Sequence, residues 1–290
     1  MSSVPVATKK PELKSALRRL AFFVAIAFVA YVIFANLLLW ILPENASLVV
    51  AVFTNFAAAA VANAIALRTF ERGRLSDVGL GWTAASRRNL SLGLLGGIGA
   101  ALIVLLGPVV VRAADIQPAP NEHFAWPNLL FLTLLLLFGA IGEEMLFRGY
   151  GFQILVAAVG PFASILPVAV LFAFLHAGNP SFTKLAALNT FLWGVLLGYS
   201  FLRSGDLWLP IGLHFGWNWT MPLLGVNLSG LTMGVTGYTM HWKVDWLWSG
   251  GAYGVEGGLL TTAIAVLLYF FLEKAPIQPQ EPYLLYKDRS

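Results

Sequence analysis

The sequence predicts an all-α fold, a polytopic transmembrane helical bundle of about eight spans, on three observations. Of its 290 residues, 58% are hydrophobic and only 11% charged, against about 25% charged in a soluble globular domain, and the mean hydropathy is +0.77. The apolar residues come in runs of roughly 20, the length that crosses a hydrocarbon core. Lys and Arg fall mostly between those runs, where they report topology. The net charge of +4 is therefore no sign of a nucleic-acid surface. The chain has no cysteine, which excludes a disulfide framework, thiolate zinc sites and cysteine-protease chemistry; a metal would need His and carboxylate ligands.

In chain order, a basic tail (residues 1–19) carries Lys9, Lys10, Lys14, Arg18 and Arg19, followed by an apolar run from Leu20 to about Leu42. That run is too long for the apolar region of a cleaved signal peptide and reads as a signal anchor. A second span covers about Leu48 to Leu67, and an arginine-rich loop reaches Asn89. A third span, about Leu90 to Val111, contains Gly93, Gly96, Gly97 and Gly99, small residues suited to close helix packing. The segment Arg112 to Pro127, with Asp115, Glu122 and His123, reads as a loop outside the membrane. The fourth helix is expected to run unbroken from about Asn128 to about Ala158, longer than a crossing needs and so tilted or protruding. Spans five to eight follow at about 162–176, 185–202, 207–224 and 257–272, and a polar tail begins at Glu273.

Eight spans put both termini on one side. The terminal tails, the 68–89 loop and Arg203 hold nearly all the basic residues, leaving Arg112, Lys184 and Lys243 on the other side. By the positive-inside rule both termini face the cytoplasm, and a multi-pass protein of the plasma membrane is expected. There is no internal repeat. The chain divides into the basic tail, two N-terminal spans with their loop (20–89), a membrane domain (90–272) and a cytoplasmic tail (273–290). The stretch 225–258, rich in Gly and Trp, with Trp242, Trp246 and Trp248, reads as an interfacial anchoring belt without chemistry.

The run GAIGEEMLFRGYG, residues 139–151, puts three ionisable groups where hydrocarbon is expected, and such residues are by default functional hypotheses. At 100° per residue, Glu144 and Arg148 form an i, i+4 pair on one face. Glu143 points about 100° away and is left free for chemistry. The bland reading is three solvated charges at a helix end.

Of the four histidines, His123 and His241 fall in loops and are read as solvated. His176 and His214 lie in the apolar runs VAVLFAFLHAG and LPIGLHFGWNW. Asn218 shares the face of His214 at i+4, and Phe172 stands one turn before His176. Burying a carboxylate, two imidazoles and a carboxamide against one another is the cheapest way to satisfy each, so one polar cavity is expected. On helix heights alone, His176 and His214 stand at different depths, about 21 Å and 10 Å from the cytoplasmic side at 1.5 Å per residue. A carboxylate in an apolar pocket suits a general base acting on water, and paired donors suit an oxyanion. Neither a GxSxG serine motif nor an HExxH zinc helix is present.

EEMLFRG (143–149) resembles the EExxxR motif of the CPBP family, the CAAX prenyl proteases and bacteriocin-processing enzymes also called ABI. Phe172 to His176 resembles its FxxxH motif and His214 to Asn218 its HxxxN motif, in the family's order. SGGAYGVEGG (249–258) is similar to a glycine-rich segment of some bacterial members, and the resemblance covers roughly residues 90–272. It implies an intramembrane endopeptidase whose partners are the bilayer and a peptide or lipidated protein within it. Glu143 would activate water with His176 assisting, His214 and Asn218 would stabilise the oxyanion, and Glu144 and Arg148 would support the site. The resemblance also carries a metal-dependent option, with Glu143, His176 and His214 as candidate ligands of a zinc ion. The alternative is a non-catalytic membrane protein, either a bacteriocin-immunity factor or a proton-coupled carrier. A carrier would predict repeats, and the sequence shows none.

Overall fold

A computed structural model describes residues 12–119 and 123–286. Lys9, Lys10, Glu122, Lys287 and Arg289, which entered the charge and loop readings, lie outside the described residues. The described chain is a helical bundle. Helix α1 (Leu13–Ile41) starts inside the basic tail, because Leu13 to Arg19 have good helix propensity and no breaker. A short turn leads to α2 (Ser47–Ala66). Next come a π turn, a 3-10 turn and α3 (Ala84–Val110), which opens on a capping box at Thr83.

The expected unbroken fourth helix is two helices, α4 (Trp126–Arg148) and α5 (Tyr150–Val159), separated at Gly149. Gly160, at φ 93°, stops α5, and α6 (Pro161–Leu175) starts on Pro161. Then follow α7 (Lys184–Ser204), capped by Thr183, and α8 (Trp208–Thr220). A four-residue helix α9 (Trp246–Ser249), α10 (Leu259–Lys274) and the short α11 (Tyr283–Tyr286) complete the helical elements.

Five helical stretches among the described residues are long and apolar enough to cross a membrane: Leu13–Ile41, Glu44–Glu71, Ala84–Val110, Trp126–Val159 and Lys184–Ser204. The other three expected spans are α6, α8 and α10, of 15, 13 and 16 residues. At 1.5 Å per residue these extend about 20–24 Å, short of a hydrocarbon core of about 30 Å.

One part of the expected loops is ordered as strand. Residues Ala114–Pro118 (β1) pair antiparallel with Tyr238–Trp242 (β2), with Ala114 opposite Trp242 and Pro118 opposite Tyr238. This ribbon ties the 112–127 loop to the Trp-rich segment.

Glycines set the spacing of the helices that carry the polar residues. A Cβ on Gly93 would lie 2.3 Å from the Leu209 carbonyl oxygen, one on Gly97 2.2 Å from that of Leu213, and one on Gly212 2.5 Å from that of Leu90. Helices α3 and α8 therefore touch backbone to backbone, the small-residue packing that membrane helices use in place of a hydrophobic driving force. Gly142 likewise brings α4 close to the backbone of Phe56 of α2, where a Cβ would lie 2.8 Å from its Cα, and Gly194 brings α7 against Ala169 of α6. Of the other two glycines flagged on α3, Gly96 meets the Phe271 ring of α10, and Gly99 has nothing within 4 Å.

Candidate active site

Glu144 and Arg148 occupy the last turns of α4, both with fully buried side chains, and pair at 3.2 Å. Arg148 also donates through Nη2 to the Gly194 carbonyl at 2.9 Å. Its guanidinium lies over the rings of Phe172 at 5.1 Å and Phe147 at 5.7 Å. One carboxylate, one carbonyl and two π faces replace part of its hydration, and its Nε is buried without a hydrogen-bond partner among the described residues.

The same Glu144 Oε1 lies 2.9 Å from Nδ1 of His214. A carboxylate can only accept, so Nδ1 carries the proton and Nε2 is the nitrogen left for the cavity. That Nε2 stands 3.8 Å from Oε2 of Glu143. The His176 Nδ1 faces the Phe172 carbonyl oxygen at 2.7 Å, and by the same reasoning it is the donor, again leaving Nε2 free. The Phe172 ring packs on both imidazoles, with centroids 4.5 Å from His176 and 6.3 Å from His214. Whatever the difference in depth expected from helix heights, the two histidines flank one ring and line one cavity.

Glu143 is partly exposed, at 28% of its side chain, and its Oε2 is buried without a hydrogen-bond partner among the described residues. Glu143, His176, His214 and Asn218 all line one cavity of about 750 Å³, otherwise largely apolar and walled by α1, α2, α4, α6, α7 and α8. Four of the six residues singled out in the sequence thus line one cavity, and the other two, Glu144 and Arg148, join it through His214. The two carboxylates divide as their 100° offset predicts, Glu144 on the arginine and Glu143 on the cavity.

Zinc fits less well. Among the described residues no three His, Asp or Glu side chains form a group that could hold a metal ion, so Glu143, His176 and His214 do not make the expected ligand set. The two imidazoles are oriented by separate partners, Glu144 and the Phe172 carbonyl, and no step below is assigned to a metal.

Sequence reasoning missed the far side of the cavity. The Gly- and Trp-rich stretch does expose Trp246 and Trp248, as an anchoring belt would. It also sends Ser229 and Glu256 into the cavity lining. Glu256 accepts from Trp217 Nε1 at 3.0 Å, from the Ser229 backbone N–H at 2.6 Å and from Ser229 Oγ at 2.8 Å. Asn189 of α7 fastens the same loop, donating to the Glu256 and Gly258 carbonyls at 2.8 and 2.9 Å. Burial, with the Glu256 charge adding to it, pushes the phenol of nearby Tyr253 up to about 12. The available signal was an acid among glycines at the edge of an apolar run, and an asparagine inside one.

A helical membrane bundle that gathers two acids, an arginine and two oriented imidazoles at one cavity has the make-up of an integral membrane enzyme. Residues 125–220, from α4 to the end of α8, match the family described as Rce1-like, type II CAAX prenyl endopeptidase. The match spans about a third of the chain, and that segment is similar to the proteases of the CAAX, or CPBP, family. Compared with curated proteins, the chain matches none.

Proposed function

We propose that the protein is an intramembrane endopeptidase that cuts a membrane-associated protein or peptide of the prenylated CAAX type, using water activated by Glu143. The observation that carries this reading is Glu143 on the cavity lining, with one oxygen lacking a hydrogen-bond partner among the described residues and standing 3.8 Å from Nε2 of a histidine held by Glu144. Glu143 takes a proton from water, and the resulting hydroxide attacks the scissile carbonyl. A positioned base of this kind contributes about 10²–10⁴-fold.

His176, with Nε2 toward the cavity, assists in moving that proton to the leaving amine. Asn218 donates to the oxyanion from the face it shares with His214; His214 Nε2 joins it when the ring carries a second proton, which the Glu144 carboxylate on Nδ1 accommodates. Glu144 and Arg148 hold the His214 ring and the end of α4. The apolar lining from α1, α2 and α6 suits a lipid-modified or helical substrate, and the basic loop and tails favour cytoplasmic termini in the plasma membrane.

The test is cleavage of a farnesylated CAAX peptide by purified protein reconstituted in liposomes. The parent should release the C-terminal tripeptide, and Glu143→Ala should lose at least about 100-fold in kcat while keeping its unfolding temperature. A parent that cuts neither this peptide nor a transmembrane helical one overturns the proposal.

A further inference from the structure

The break between α4 and α5 falls one residue after Arg148, at Gly149 with φ −73° and ψ −144°. In an unbroken helix the Met145 carbonyl would accept from the Gly149 N–H, and the Tyr150 N–H would donate to the Leu146 carbonyl. The break frees such groups inside an apolar bundle, where each unsatisfied one costs several kcal/mol.

One side chain takes up both. Asn63 of α2, fully buried, donates through Nδ2 to the Met145 carbonyl at 3.0 Å and accepts the Tyr150 N–H on Oδ1 at 2.8 Å. Its second amide hydrogen goes to the Ala59 carbonyl of its own helix at 2.8 Å, which fixes the carboxamide's orientation. Gln153 of α5 completes the seam by donating to the Arg148 carbonyl at 3.0 Å. Gly149 is required there, since a Cβ would lie 2.1 Å from the Met145 oxygen and 2.4 Å from Asn63 Oδ1.

We propose that Asn63 is a positioning residue of the active site: its carboxamide holds α4 broken at Gly149 and thereby fixes the turn that carries Glu143, Glu144 and Arg148. Asn63 lies outside the segment that matches the family, and the inference rests on the peptidase reading above. The linkage is short. Asn63 sets the end of α4, the end of α4 sets Arg148 and Glu144, and Glu144 sets the His214 ring opposite Glu143. Without Asn63 the two backbone groups regain their partners by continuing α4 straight through Gly149, which turns Arg148 away from the Gly194 carbonyl.

The experiment compares the reconstituted parent with Asn63→Ala, Gly149→Ala, the double variant and Thr54→Ala, using the farnesylated peptide. Thr54 is a buried α2 residue more than two turns from the seam and controls for loosened packing. Asn63→Ala should lower kcat about 100-fold, the scale of an ångström-sized misplacement, with KM within about twofold, and should expose the Tyr150 amide to hydrogen exchange. Gly149→Ala should do the same, and the double variant should lose no more than either alone, because both act on one seam. Asn63→Ala with parental kcat, a loss matched by Thr54→Ala, or additive losses in the double variant would each overturn the inference while leaving the peptidase reading intact. A parent that cuts no peptide removes the reading on which the inference rests.

Discussion

The two long walls of the cavity are built in opposite ways. On one side α8, which carries His214, Trp217 and Asn218, lies against α3 with glycines on both helices and carbonyls where side chains would otherwise be. On the other side α1 buries only Ala16, Phe23, Ala27 and Ala30, and Val24, Phe28 and Tyr31, which line the cavity, are exposed. The first wall cannot move without a backbone collision; the second is ordinary lipid-facing surface. A site that must hold several polar side chains to within a fraction of an ångström puts them on the rigid wall, while a greasy substrate is best met by a compliant one.

The sharpest way to break this contrast is Gly97→Leu. Its Cβ would meet the Leu213 carbonyl and, at 2.8 Å, the Trp217 nitrogen, backbone atoms that no rotamer change can move. Overpacking of this kind costs about 1–3 kcal/mol or more, so a large fall in thermal stability and loss of cleavage are expected. Gly99→Leu, two residues away on the open side of α3, should leave both near the parent. If the two variants behave alike in a melting experiment, backbone contact is not what holds this wall.

Asn218→Ala probes chemistry on the rigid wall without touching its packing. Removal of one oxyanion donor costs about 10²–10³-fold in kcat, and single-turnover kinetics should show that loss with the melting temperature unchanged. An unaffected rate would take Asn218 out of the reaction.

Glu256→Gln tests the loop that closes the cavity beside Trp217. It replaces a carboxylate accepting three hydrogen bonds with an amide whose NH₂ must face a donor, a cost of roughly 1–3 kcal/mol. The expected outcome is a lowered melting temperature and a raised KM, with kcat changing less. The smallest effect belongs to the compliant wall: Phe28→Leu, at a position 68% exposed, should stay within about 0.5 kcal/mol of the parent in thermal unfolding. A change in KM alone would mark α1 as a substrate-facing surface.

What the sequence alone determined is the class of the molecule and the pairs that sit within one helix. The apolar runs announced a helical membrane bundle, and i, i+4 spacing placed Glu144 with Arg148, Phe172 with His176 and His214 with Asn218, because one helical turn is a local, fixed geometry. Only the tertiary structure decided what crosses between helices. It paired Glu144 with His214, joined Asn63 to the seam at Gly149, and turned Glu256 inward from a stretch that reads as an interfacial belt. It also divided the long fourth helix, at a break where two backbone groups bond a carboxamide 86 positions earlier in the chain than Gly149. Those contacts depend on how closely two backbones approach and on which buried amide finds which carbonyl. Periodicity along one strand of sequence carries no record of either.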